Sequence, residues 1–149
     1  KHLDELVKET VKALRPLLGP EEPVFAYRDF QESLGPYLDR PVGIVGAVGE
    51  LAFGVSHLSA AERLERFPTV DEFRPRWDSS QRVWLSVGRN WRRKMAADRL
   101  GHVEIVWEGR GRALVTNSPL PRSRQLEAAS EGQAETTNAP IGVPGAAER

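Results

Sequence analysis

Basic residues crowd around one tryptophan in the stretch Arg89-Asn90-Trp91-Arg92-Arg93-Lys94, with Arg99 following. Cations beside an indole suit a phosphate group or an anionic membrane surface. Nucleic acid would use the same ingredients. On a helix, Arg92, Met95 and Arg99 approach one face while Trp91 and Lys94 share another. The simpler reading is a solvated basic face with Trp91 turned into a core. The candidates for ligand or lipid-phosphate contact are Trp91, Arg92, Arg93 and Lys94. A fifth candidate is Glu50, which lies between Gly49 and an apolar run and would have a raised pKa in a cleft.

Other patterns carry less chemistry. Gly43-x-x-Gly46-x-x-Gly49 follows a strand-like run, yet it lacks the G-x-G-x-x-G spacing and the Lys-Ser/Thr of a phosphate loop. Glycines that permit a turn and close packing explain it. His2, His57 and His102 are scattered and form no i, i+4 pair, so neither a metal site nor a catalytic triad is expected. Asp71-Glu72 invites an acid/base role, but first-turn placement on a helix accounts for both. No catalytic residue and no metal ligand is assigned.

The chain has 149 residues, enough for one domain, and 40% of them are hydrophobic. Lys and Arg together number 21, as do Asp and Glu, so the net charge is zero and argues against a nucleic-acid partner. With no cysteine there is no disulfide and no thiolate chemistry. The longest apolar stretch, about Val42 to Leu51, falls short of the roughly 20 residues a membrane helix needs. Position 1 is Lys, which leads us to expect a piece of a longer protein.

The elements that must position these residues alternate between helix and strand. Leu3, Leu6, Val7, Val11, Leu14, Leu17 and Leu18 predict an amphipathic helix over 2–18, stopped by Gly19-Pro20. A strand over 24–27 follows, then a short helix over 30–38 capped by Asp29, then a continuously apolar strand over 41–46. Ser59 with Glu62, and Thr69 with Glu72, read as capping boxes for helices ending at Phe67 and Trp77. Residues 82–87 predict a strand with Val83, Leu85 and Val87 on one face and Trp84 on the other. Asn90 is the expected cap of a helix over 91–100 stopped by Gly101. Residues 103–107 and 112–116 predict a hairpin around Gly109-Arg110-Gly111. From Ser118 to Arg149 the chain turns polar and rich in Pro, Gly, Ser and Ala, so we expect a disordered tail (118–149) after a folded unit (1–117). The fold class is α/β: a small layered domain with a mostly parallel sheet, helices on both faces and a C-terminal β-hairpin.

The ordered set of motifs resembles a known family. The set runs from Leu14-Arg15-Pro16-Leu17-Leu18 through Tyr27-Arg28-Asp29-Phe30-Gln31-Glu32-Ser33-Leu34-Gly35-Pro36-Tyr37 to Gly49-Glu50-Leu51-Ala52-Phe53-Gly54. It continues with Asp71-Glu72-Phe73-Arg74-Pro75-Arg76-Trp77, Arg82-Val83-Trp84-Leu85 and Leu114-Val115-Thr116-Asn117. Over about residues 10–117 it is similar to the soluble C-terminal domain of the polyprenyl-phosphate-sugar-dependent membrane glycosyltransferases. These are related to the lipid A aminoarabinose transferase and, more distantly, to the dolichyl-phosphate-mannose-protein mannosyltransferases. Gly35-Pro36 and Trp91-Arg92-Arg93-Lys94 depart from the pattern.

The resemblance implies a bacterial inner-membrane enzyme that moves a sugar from an undecaprenyl-phosphate carrier to a lipid or other acceptor. It places this domain on the periplasmic side and the catalytic residues in the transmembrane part of the same polypeptide, so none carries over. The implied partners are that transmembrane domain and either a membrane surface or a lipid-linked sugar. No cofactor is expected in this chain; a divalent metal in the parent enzyme stays open. Two other readings stand beside this one. The first is a free-standing α/β module for a small anionic ligand such as a sugar phosphate or nucleotide. The second, ranked last, is a soluble enzyme, for which no convergent nucleophile, base or metal set appears.

Overall fold

The computed structural model describes residues 2–28, 38–46 and 57–124. The chain divides into a unit over Lys1–Pro119 and a second over Leu120–Arg149, of which only residues 120–124 are described. The expected tail, the helix expected over 30–38 and Glu50 therefore fall wholly or mostly outside the described residues.

The first unit is built from α1 (His2–Leu14), β1 (Val24–Tyr27), β2 (Gly43–Val45), α2 (Ala60–Arg66), α3 (Val70–Trp77), β3 (Trp84–Val87), α4 (Trp91–Ala97), β4 (Glu104–Gly109) and β5 (Arg112–Thr116). Five strands form one open sheet in the order β2-β1-β3-β5-β4. β1 pairs in parallel with β2 and with β3, whereas β5 runs antiparallel to both β3 and β4. The expectation of a mostly parallel sheet is thus corrected to a mixed one. The hairpin is responsible: β4 and β5 must be antiparallel across their short turn, and β5, not β4, docks on β3.

Every residue of β1, β3 and β5 is buried, as strands covered on both faces must be. Alternation along the strands splits the core. Phe25, Tyr27, Val45, Val83, Leu85, Val87, Ala113 and Val115 join Phe73 and Trp77 of α3 and Trp91 and Met95 of α4 in one cluster. The buried stripe of α1, Val7, Val11 and Leu14, lies outside that cluster and packs with α1 against β4 and β5. Trp84 points away from the α3–α4 side, as its alternation with Val83 and Leu85 requires.

α1 ends at Leu14, not at Leu18. Pro16 is the reason: it has no N–H to donate back into the helix, and the amides of Leu17 and Leu18 both turn to the Leu14 carbonyl. Both capping boxes form, with Ser59 and Glu62 reciprocally bonded before α2 and Thr69 and Glu72 before α3. Phe73 and Trp77 share the inner face of α3 with ring centroids 5.9 Å apart, and Pro75 faces solvent.

Asn90 does not cap α4. It adopts φ 60° and makes no side-chain cap bond. At the other end, α4 stops at Ala97. Arg99, at φ 56°, takes the left-handed position, and the Leu100 amide reaches the Met95 carbonyl while the Arg99 amide reaches Ala96. This Schellman closure normally favours glycine, so Gly101 was the wrong stop. The early end also corrects the helix faces: Met95 shares the buried face with Trp91, and Arg99 lies beyond the helix.

The glycine run is structural where it is described. A Cβ on Gly43 would lie 2.5 Å from the Phe25 ring and 2.7 Å from the Arg66 carbonyl oxygen. Gly46 has φ +74°, and its amide donates to the Pro68 carbonyl.

Candidate functional site

Strand order reverses at β1, with β2 on one side and β3 on the other. In open α/β sheets the crevice outside the carboxyl ends at such a reversal is where ligands enter. The described structure has a pocket of about 450 Å³ there. β1 brings Tyr27 and Arg28, the turn after β3 brings Gly88, Arg89 and Asn90, and α4 brings Trp91 and Lys94. The hairpin completes it with Arg110, Gly111 and Arg112; the pairing of Val87 with Ala113 sets Arg112 beside Gly88.

One wall is held by Asp98, just after α4. Its carboxylate accepts both Nε and Nη2 of Arg28 at 2.9 Å, a two-point fork, and it also accepts the Tyr27 hydroxyl. Arg74 of α3 donates to the Asp98 backbone carbonyl at 2.7 and 3.2 Å. The Arg28 guanidinium is the main reason that Asp98 is held below the usual carboxylate range. Burial, reinforced by Asp98, pushes the Tyr27 phenol up, so Tyr27 stays a protonated donor. Asp98, Tyr27 and Arg28 are therefore mutually satisfied.

The remaining cations differ. Arg89, Lys94 and Arg110 are exposed, and no hydrogen bond or ion pair engages them among the described residues. Arg112 is 8% exposed and partnered.

The residues singled out from sequence separate here. Trp91 and Lys94 line the pocket, and Trp91 is also buried among core residues. Arg92 lies outside it, 4.6 Å over the Trp91 ring and 3.2 Å from Glu108 of β4. Arg93 is exposed and does not line the pocket. Arg89, which stands in the same basic run, lines the pocket too, whereas Arg28, Arg110 and Arg112 were missed as members of a site. Those three come from two separate segments, and only strand pairing brings them to the basic run.

No group of three or more His, Asp and Glu residues among the described residues is placed to hold a metal ion. Glu72 is spent on its cap: the Thr69 amide and Arg63 hold it below the usual carboxylate range. Among the described residues no helix is long and apolar enough to cross a membrane.

Residues 10–117 match the family model described as the aminoarabinose transferase C-terminal domain. The chain belongs to that family. Two solved structures share the fold. One is ArnT from Cupriavidus metallidurans bound to undecaprenyl phosphate, at TM-score 0.61 and 23% identity over 76% of this chain. The other is the same protein in the apo state, at TM-score 0.58 and 23% identity over 75% of this chain. In each case the match covers 20% of the ArnT chain, so this sequence spans about one fifth of that protein's length. No curated protein sequence matches significantly.

Hydrogen bonds explain why the folded unit closes on Thr116-Asn117. Asn117 is buried; its Oδ1 accepts the Val83 amide, and its Nδ2 donates to the carbonyls of Trp77 and Gln81. One side chain thereby ties the end of β5 to the end of α3 and the start of β3.

Proposed function

We propose that this chain is the C-terminal domain of an integral-membrane glycosyltransferase that moves a sugar from an undecaprenyl-phosphate carrier to a lipid or other acceptor. The domain faces the periplasm of a bacterium, is anchored by the transmembrane part of the same polypeptide in the inner membrane, and contributes no catalytic group. The observation that carries this reading is the family match over residues 10–117. The likeness to a protein solved with undecaprenyl phosphate supports the choice of carrier. The exposed basic residues of α4, Arg92 and Arg93, are suited to an anionic membrane surface, each Lys or Arg near such a surface being worth about 1 kcal/mol.

The non-catalytic role is supported by the self-satisfied Tyr27–Arg28–Asp98 cluster. Its test is transferase activity in the full-length enzyme. Tyr27→Phe, Asp98→Asn and His102→Gln should each leave kcat within about tenfold, whereas loss of a general acid or base costs about 10²–10⁴. A folded variant that loses turnover at unchanged KM would sink the idea. A phosphatase reporter fused after Arg149 tests the orientation: activity in intact cells is expected, and a silent fusion would place the domain on the cytoplasmic side.

A further inference from the structure

We propose that the carboxyl-edge pocket binds a doubly charged phosphate group, a phosphomonoester or diphosphate, through Arg89, Lys94 and Arg110. This site stands on the pocket alone and does not depend on the transferase reading.

Charge is the first argument. The chain as a whole is neutral, yet Arg89, Lys94 and Arg110 converge on one pocket, beside Arg28 and the partnered Arg112, with no carboxylate among its described lining residues. The nearest described acid in the network, Asp98, is committed to Arg28 and Tyr27. Like charges gathered in one cleft repel one another. A dianion relieves that repulsion at several cations at once, which a single carboxylate does less well.

Chemistry and position narrow the class. Guanidinium groups match phosphate oxygens with paired N–H donors, and Lys94 adds a point charge from the side. Arg28 is already held by Asp98, so that wall needs no rearrangement on binding. The pocket falls within the roughly 300–1,000 Å³ usual for small-ligand sites. Inorganic phosphate would fill only part of it, so the phosphate carries a larger body. A nucleic-acid backbone needs an extended basic stripe, and here the cations converge instead.

The shared chemistry has two sources, a soluble phosphoester or a lipid headgroup. The test uses the whole 149-residue chain, labelled with ¹⁵N and titrated at fixed ionic strength with pyrophosphate, sulfate and acetate. Pyrophosphate should move the Gly88, Arg89 and Gly111 amides saturably, and acetate should not. Arg89→Gln with Arg110→Gln should weaken the effect about tenfold or more. Arg92→Gln with Arg93→Gln removes the same charge outside the pocket and should leave pyrophosphate binding within about twofold. Lys94→Gln is the second probe if the double variant loses its native spectrum. In the lipid arm, the chain is sedimented with phosphatidylcholine vesicles containing phosphatidic acid or phosphatidylglycerol. Preference for the phosphomonoester lipid, lost in the Arg89/Arg110 variant, assigns the site to a headgroup. Pyrophosphate binding without that preference assigns it to a soluble phosphoester. Linear shifts shared by acetate with no vesicle preference, or equal weakening of pyrophosphate binding by the Arg92/Arg93 variant, would overturn the proposal.

Discussion

The two edges of the sheet handle the same residue type in opposite ways. At the amino edge a second pocket, about 360 Å³, is lined by Glu21, Glu22 and Glu65 and by Arg40, Arg66 and Arg76. Each of those arginines has a structural task. Arg40 donates to the carbonyls of Glu22 and Gly19, Arg66 lies 5.4 Å over the Phe67 ring, and Arg76 lies 5.2 Å over the Phe25 ring. Glu22 accepts the Gly19 amide and the Trp84 indole N–H, which locks the turn before β1. At the carboxyl edge Arg28 is held by Asp98 and Arg112 is buried and partnered, while Arg89, Lys94 and Arg110 have no partner among the described residues. Cations that staple backbone belong to the fold; cations gathered without a counter-charge are free to meet a ligand.

If the amino edge is structural, it should break first. Gly43→Ala drives a Cβ to 2.5 Å from the Phe25 ring and 2.7 Å from the Arg66 carbonyl oxygen, so a buried ring and the backbone at the end of α2 must both shift. We expect a loss of about 3 kcal/mol in urea unfolding, the upper end for overpacking. A loss below about 1 kcal/mol would mean that this edge is loose and that the contrast is misplaced.

At the carboxyl edge the largest effect should come from Asp98, the acid that holds Arg28 and Tyr27 there. Asp98→Asn should cost about 1–2 kcal/mol near neutral pH, a modest figure because the Arg28 side chain is 38% exposed. The pH dependence has a definite sign. A depressed carboxylate pKa adds stability above the unfolded value of about 3.9 and loses it as pH falls through the folded value. The gap between wild type and Asp98→Asn should therefore be constant from about pH 5 to 8 and begin to shrink below about pH 4. A gap that stays unchanged once NMR shows the Asp98 carboxyl protonated in the folded protein would show that packing, not the ion pair, sets the difference.

The next effect runs the other way. Arg99 pays the left-handed cost that ends α4, so Arg99→Gly should stabilise by about 1 kcal/mol while leaving Asp98 in place. Thermal unfolding checks it; destabilisation would reveal a role for the Arg99 side chain beyond its backbone.

These cases also mark what was legible in the sequence. The capping boxes at Ser59 and Thr69, the alternation of Val83, Trp84 and Leu85 and the turn at Gly109–Gly111 are local signals, and they specify their elements directly. Arg99 in a glycine-like conformation has no local signature, because tertiary packing imposes it. β5 inserts between β3 and β4 through pairings about 30 residues apart, which turn statistics do not encode. The pocket was half visible: Trp91 and Lys94 stand in the basic run, whereas Arg28 and Arg110 only join them once the strands are paired. Arg92 and Arg93 shared the sequence signal yet lie outside the pocket, since helical rotation separates neighbours by about 100°.

The finest test compares one arginine from each edge. Arg40→Ala removes two bonds to backbone carbonyls and should cost about 1 kcal/mol. Arg110→Ala removes no described bond and should fall within about 0.5 kcal/mol of wild type, on the stabilising side because a like charge leaves the pocket. Added salt sharpens the difference. Screening weakens repulsion between exposed charges, so the gain from Arg110→Ala should fade as ionic strength rises, while the Arg40→Ala loss should change little. Equal costs at both positions would mean that Arg110 has a structural partner after all, and the distinction between a stapled edge and an open one would fail at its most sensitive point.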